Sequence, residues 1–239
     1  VNLRSPTADQ QQAAVGALGV NLLYGVFYER SSTDAFLCCL GEGLSLDDIE
    51  IDVIHATGPG AEALAPPAIG VELVRRKMAL ATVLDAQGRP IEPSDVLRKR
   101  AILVERGRLE TLESFHADLL TAARSQLAAE GAPSEHEPVA IVELQADEAG
   151  AVDDDAKVLA MARDASALGT VVITSWDTTR DLVTYLRRFT DDPVRLVMGV
   201  SGLLQIMRAS TPTTPGELLL SLGQLLSTNV RLYAYPMPA

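Results

Sequence analysis

Short, continuous apolar runs alternate with longer helical stretches through most of this 239-residue chain. A strand made only of apolar residues is buried on both faces, which is the usual state of a strand in a parallel sheet. Strand segments separated by helical segments indicate βαβ units, with helices on both faces of the sheet. The predicted strands are residues 80–84, 101–104, 139–142, 171–173, 194–198 and 230–235, and the predicted helices are 67–78, 110–130, 154–168, 178–189, 201–208 and 215–226. The sequence therefore predicts an α/β fold with a mostly parallel, Rossmann-like sheet covered by helices on both faces.

Two further helices are predicted ahead of this sheet, at residues 8–28 and 33–41. In the first of them, Ala14, Leu18, Leu22 and Val26 recur at helical spacing, and other apolar residues lie beside them. Because this apolar face is broad, we expect the first helix to be buried.

The domain organisation follows from where these N-terminal helices end. Residues 49–54 alternate between apolar and polar side chains, which predicts a strand with one wetter face. We therefore divide the chain into an N-terminal helical segment, 1–48, and an α/β domain, 49–239. The polar stretch at 131–138 is a candidate junction between two halves of that domain.

The charge of the chain bears on its partners and its location. Its formal net charge is −12 and its pI is about 4.7. An acidic surface repels phosphate backbones, so we expect no nucleic-acid partner. No apolar run is long enough to cross a bilayer and no signal peptide is visible, so we expect a cytoplasmic protein without membrane insertion.

The cysteines and histidines give no support for a disulfide or a metal site. Cys38 and Cys39 are adjacent in an apolar helical run, which predicts buried free thiols. The three histidines, His55, His116 and His136, lie far apart, so no metal is expected. The chain begins with Val rather than Met, which indicates processing, a fragment, or residues missing from the front.

Candidate ligand residues follow from the rule that ligands of open parallel sheets bind outside the carboxyl ends of the strands. Glycine and serine there leave backbone N–H groups accessible to an anion, arginine clamps phosphate or carboxylate, and tryptophan stacks on a ring. The candidates are Gly58, Gly60, Arg106, Arg108, Ser175, Trp176, Gly199, Ser201 and Gly202.

A plainer interpretation of the same residues stays open. An ordinary capped turn would account for Gly199, Ser201 and Gly202. An exposed salt-bridge network would account for Arg106 and Arg108, and packing against other side chains would account for Trp176. The chain carries none of the common nucleotide-loop, nucleophile-elbow or metal-spacing motifs, so it identifies no catalytic residue and no cofactor.

Four phrases of the sequence carry a resemblance. They are Gly19-Val20-Asn21-Leu22-Leu23-Tyr24-Gly25, Leu103-Val104-Glu105-Arg106-Gly107, Leu196-Val197-Met198-Gly199-Val200 and Val230-Arg231-Leu232-Tyr233-Ala234-Tyr235-Pro236. Together they resemble the C-terminal half of an uncharacterised family of longer bacterial cytosolic proteins. Members of that family sometimes carry the labels TonB-dependent receptor or nicotinamide mononucleotide adenylyltransferase. The chain lacks the His-x-x-His loop that the second activity requires. The resemblance implies an N-terminal portion that precedes Val1, and it implies no catalytic residue.

Two hypotheses of different class remain. The first is a structural or assembly module, which associates with itself or with the N-terminal portion through the glycine-containing apolar segment 13–28. It predicts an extended apolar surface on the isolated chain. The alternative is a nucleotide- or phosphate-binding α/β domain, with an enzymatic role left open.

Overall fold

The fold was determined from a computed structural model of the chain. The structure describes residues 1–58, 64, 66–106, 114–131, 135–146, 155–176, 178–209, 223, 225–226 and 229–236. Every structural statement below concerns these residues. Gly60, Arg108 and nearly all of the predicted helix 215–226 lie outside them.

The elements alternate along the chain as the apolar runs predict. The helices are α1 (Ala8–Tyr24), α2 (Thr33–Leu40), α3 (Pro66–Arg75), α4 (Pro93–Leu97), α5 (Ser114–Ala129), α6 (Asp155–Ala165), α7 (Thr179–Leu186) and α8 (Val200–Ala209), and a π-helical turn at Gly25–Glu29 extends α1. The strands are β1 (Asn2–Leu3), β2 (Ile49–Glu50), β3 (Ala81–Leu84), β4 (Pro90–Ile91), β5 (Ile102–Arg106), β6 (Val139–Gln145), β7 (Thr170–Thr174), β8 (Val194–Gly199) and β9 (Val230–Tyr235).

Seven of these strands form one mixed, mostly parallel sheet in the order β4-β3-β7-β6-β5-β8-β9. The strands β7, β6, β5, β8 and β9 run parallel, with Val104 opposite Ile141 on one side and Leu196 on the other. At one edge of the sheet, β3 runs antiparallel to β7, and β4 runs antiparallel to β3. The prediction of an α/β fold with a mostly parallel sheet is confirmed at this level.

Helices cover both faces of the sheet. On one face, α3, α5 and α6 pack against side chains such as Val142 and Leu103. On the other face, α4, α7 and α8 pack against Ile141, Val104 and Leu196. The central strands are apolar throughout because alternate residues enter these two cores.

The predicted strand at 49–54 is wrong in length and in burial. Only Ile49–Glu50 pairs, and its antiparallel partner is β1 rather than the large sheet. The polar side chains of this segment are not exposed to solvent, since Glu50 and Asp52 are only 1% and 2% exposed. They are buried because Glu50 binds Arg188 and Asp52 accepts a hydrogen bond from Asn2, which offsets the cost of removing carboxylates from water.

The prediction of two buried thiols also needs correction. Cys38 is exposed because it lies on the side of α2 that faces Arg76, and Cys39 is half-buried, with its thiol donating to the Asn21 carbonyl of α1. Both are free thiols. The N-terminus of α7 is capped by Thr178, whose hydroxyl accepts from the backbone N–H of Asp181.

Within the described part of the chain, no helix combines the length and the hydropathy needed to cross a membrane. The same residues contain no group of three histidine, cysteine or acidic side chains placed to hold a metal ion.

Candidate functional site

Helix α1 is attached to the rest of the protein by a narrow stripe. Ala14 is buried, and the Asn21 amide donates to the carbonyl oxygens of Leu40 and Glu42 at 3.1 and 2.8 Å. A Cβ on Gly25 would stand 2.9 Å from a ring carbon of Phe36, so only glycine lets the two elements approach this closely. The contact with the fold therefore uses Leu18 together with small and polar residues, rather than the whole of the broad apolar face.

The large apolar side chains of this segment are left on the surface, so the expectation that the helix is buried is wrong. Phe27, Tyr28 and Val20 are 73%, 71% and 68% exposed. We call the whole set the outer α1 surface; its members are Val15, Val20, Leu22, Leu23, Tyr24, Val26, Phe27 and Tyr28. The hydrophobic effect disfavours such exposure, so this surface requires an explanation beyond the fold of one chain.

The outer α1 surface is also large and uncharged. Residues 10–28 contain no Asp, Glu, Lys or Arg. A buried aromatic side chain covers about 150–250 Å², so the three rings Tyr24, Phe27 and Tyr28, which are 52%, 73% and 71% exposed, present roughly 300–500 Å². The rings alone thus reach the size of the largest apolar patch on a typical monomer.

A second candidate site lies where the order of the parallel strands reverses. From β5 the chain moves outward through β6 and β7, then returns to place β8 on the opposite side of β5. The carboxyl ends of β5 and β8 are Arg106 and Gly199, and α8 begins directly after Gly199. The strand β5 is followed by α5, which packs on one face of the sheet, and β8 is followed by α8, which packs on the other. Open parallel sheets bind ligands at such a reversal point.

Arg106 belongs to a buried polar network at the carboxyl ends of β5, β6 and β7. Its guanidinium Nε lies 3.2 Å from a carboxylate oxygen of Glu143, and its Nη2 donates to the Trp176 carbonyl at 2.6 Å. The Thr174 hydroxyl donates to Glu143 at 2.6 Å, and the Gln145 amide donates to the same Trp176 carbonyl. The remaining Arg106 nitrogen, Nη1, is buried and has no hydrogen-bond partner among the described residues.

A carboxylate–imidazole pair lies on the other face of β5. Glu105 is 3% exposed, and its carboxylate lies 2.5 Å from Nδ1 of His116 in the first turn of α5. Burial raises the pKa of Glu105 above its ordinary value of 4.5, although the nearby His116 works in the opposite direction. The pair therefore joins a buried carboxyl group to a largely buried imidazole.

We expect Glu105→Gln to be at least as stable as the wild type at neutral pH. The pKa of Glu105 is raised in the folded state, so protonated Glu105 stabilises the folded protein. This contribution to the free energy of unfolding is complete below pH 4.5 and is lost as the pH rises through the raised pKa. The glutamine keeps an oxygen acceptor for His116 but carries no charge at any pH. Urea unfolding at several pH values measures this, and a stability advantage of the variant that shrinks with rising pH would contradict it.

The structure brings only some of the predicted ligand residues together. Nη2 of Arg106 donates to the carbonyl oxygen of Trp176. Arg106 and Gly199 meet at the strand reversal, with Gly202 in the first turn of α8, and the side chain of Ser201 lies outside the described residues. Ser175 and Trp176 follow β7, two strands away from β5. Gly58 follows the short strand β2, which is not part of the large sheet.

Sequence reasoning missed the partners of Arg106 and Glu105. Glu143 pairs with Arg106 and His116 with Glu105 across separations of 37 and 11 positions, and neither pairing leaves a local motif. The one available signal was a charged residue at the end of an apolar strand, since such a residue needs a partner when it is buried.

Comparisons of the chain with protein-family models, with curated proteins and with solved structures find no match.

Proposed function

We propose that the chain is an assembly module whose copies associate through the outer α1 surface. The observation that carries the proposal is the exposure of eight large apolar side chains on one uncharged segment, residues 15–28. Association would bury these side chains, and each fully buried Leu or Phe contributes about 1.5–3 kcal/mol.

A second copy of the chain suits this surface better than a charged partner. Each copy carries a net charge of −12, so two copies repel each other wherever their charged surfaces meet. Residues 10–28 are the long uncharged stretch on which they can approach without bringing carboxylates together. A basic partner or a nucleic acid would gain no electrostatic attraction from this segment.

The glycines of α1 support close packing between helices. A Cβ added at Gly16 or Gly19 would have no neighbour within 4 Å, so neither glycine is required by the fold of one chain. Each costs the helix about 1 kcal/mol relative to alanine. A neighbouring helix that approaches closely would give these positions a role.

Light scattering coupled to size-exclusion chromatography tests the proposal. The expected result is a species of two or more times 25.5 kDa that dissociates on dilution. A single species of 25.5 kDa at all concentrations contradicts self-association. The family resemblance implies an N-terminal portion ahead of this chain. If that portion covers the outer α1 surface, the protein is a monomer only when the portion is attached.

A second candidate function is favoured by the strand reversal. We infer a Rossmann-like domain that binds a nucleotide or phosphate ligand between the ends of β5 and β8. Three residues support this inference: Gly199, Gly202 and Arg106, whose buried Nη1 has no hydrogen-bond partner within the described part of the chain. It predicts that nucleotides or inorganic phosphate raise the melting temperature of the protein, and that Arg106→Lys, which keeps the charge but loses the guanidinium fork, abolishes the shift.

A cytoplasmic location fits both candidates. Both cysteines are free, as expected in a reducing compartment.

A further inference from the structure

A cleft of about 510 Å³ opens between α7 and the N-terminal strand β1. Its volume falls in the range of small-molecule sites. One side is a stripe of α7, and the other side is formed by the N-terminal strand and the residue before β3. The lining residues are Leu3, Arg4, Leu80, Trp176, Asp181, Thr184, Tyr185 and Arg188.

Two aromatic rings form the apolar part of the cleft. Trp176 and Tyr185 lie with ring centroids 5.1 Å apart at an interplanar angle of 53°. Trp176 is only half-buried, so part of its ring is free to contact a ligand, whereas Tyr185 is 2% exposed and forms a fixed support. A planar ligand ring gains from such a partner beyond its burial, because aromatic rings attract each other in offset or edge-to-face arrangements.

Two guanidinium groups converge at one end of the cleft. Arg4 and Arg188 lie 3.5 and 2.8 Å from the same oxygen of Glu50, which is buried. Each guanidinium uses one nitrogen on Glu50, and both arginine side chains remain about one-third exposed. This end of the cleft therefore retains N–H donors for an anionic group.

The opposite end is acidic. Asp181 lies in the first turn of α7, whereas Arg188 follows the last residue of α7, Leu186. The Asp181 carboxylate accepts a hydrogen bond from the Thr178 hydroxyl at 2.6 Å. The arginine donors therefore lie toward the C-terminal end of α7 and Asp181 toward its N-terminal end.

We propose that this cleft binds a small planar anion, a ring that carries one carboxylate or phosphate group. The ring lies against Trp176 and the anionic group takes the free donors of Arg4 and Arg188. The site is separate from the outer α1 surface, and it differs from the strand reversal in using the edge of the sheet beyond β7.

Trp176 is the only tryptophan of the chain, so its fluorescence reports on this cleft. The probes are adenosine 5′-monophosphate and benzoate, with adenosine and inorganic phosphate as controls that lack the charge or the ring. The expected result is a saturable change in Trp176 emission with one or both probes, at concentrations at least tenfold below those needed for the controls. Which probe acts distinguishes a phosphate from a carboxylate ligand. No saturable change with either probe overturns the proposal.

Variants separate this cleft from the strand reversal, since Arg106 also contacts the Trp176 carbonyl. Arg188→Lys keeps a charge for Glu50 but loses the fork, and we expect affinity for the active probe to fall about tenfold. Arg4→Lys serves the same purpose if Arg188→Lys does not fold. The matched control is Arg163→Lys, which changes an exposed arginine on α6 across the sheet. Affinity unchanged in the cleft variants, or lost equally in Arg106→Lys and not in Arg188→Lys, overturns the proposal.

Discussion

Replacing Leu23 by glutamate is expected to dissociate the assembly while leaving each chain folded. Leu23 is 62% exposed on the isolated chain, so the charge remains in water in the monomer. In the assembly the same carboxylate would be desolvated beside apolar side chains and near its symmetry mate, at a cost of about 3 kcal/mol or more. The dissociation constant should therefore rise by about 100-fold or more. Sedimentation velocity over a concentration series measures this change.

Leu204→Glu provides the matched control. Leu204 is 46% exposed on α8, so the same chemical change is made at a surface leucine outside the outer α1 surface. We expect its sedimentation to match that of the wild type. Equal dissociation by both variants, or an intact assembly in Leu23→Glu, would place the interface elsewhere.

Gly169→Ala is expected to destabilise the fold by about 2–3 kcal/mol. A Cβ at this position would lie 2.5 Å from the carbonyl oxygen of Ala140, in the backbone of the neighbouring strand β6. Backbone cannot rotate away as a side chain can, so β6 and β7 would have to separate at the start of their parallel pairing, where Ile141 lies opposite Thr170. For a chain of this size the melting temperature should fall by about 5–10 °C.

Urea unfolding measures the effect of Gly169→Ala, and Gly16→Ala is the control. A Cβ at Gly16 meets nothing within 4 Å, so this variant should be neutral or stabilised by up to about 1 kcal/mol through helix propensity. Both changes belong in the Leu23→Glu background, where association no longer adds to the measured free energy of unfolding. A Gly169→Ala protein as stable as its parent would mean that the two strands tolerate the added methyl group.

The strands of the sheet were predictable because burial on both faces demands continuous apolar residues. The predicted runs 171–173 and 230–235 lie within β7 and coincide with β9, respectively. The order of the strands was not predictable, since pairing depends on tertiary contacts that leave no local pattern. The antiparallel addition of β3 and β4 at one edge is an example.

The burial of α1 was mispredicted because hydrophobic periodicity shows which residues are apolar but not what covers them. The side of α1 that contacts the fold includes Ala14, Asn21 and Gly25. Neither Asn21 nor Gly25 has an apolar side chain, so a hydrophobic pattern does not identify this side. Gly169 shows a related limit. It directly follows the predicted helix 154–168, yet α6 ends at Ala165, and the glycine is required by its contact with β6.

The candidate ligand residues were predictable only one strand end at a time. Arg106 and Gly199 were found because polar and glycine residues follow apolar strands, but which strand ends adjoin depends on sheet order. The cleft beside α7 could not be predicted, because Arg4 and Arg188 meet on Glu50 from positions 184 residues apart.

Hydroxyl-radical footprinting of the native assembly tests most directly whether the outer α1 surface is the interface. The oxidation rates of Phe27 and Tyr28, which are 73% and 71% exposed on one chain, would be compared with those in the monomeric Leu23→Glu variant. Assembly through this surface predicts that both rates are at least severalfold lower in the native protein. Equal rates in the two proteins would contradict it, because the rings would then be as open to solvent in the assembly as in the single chain.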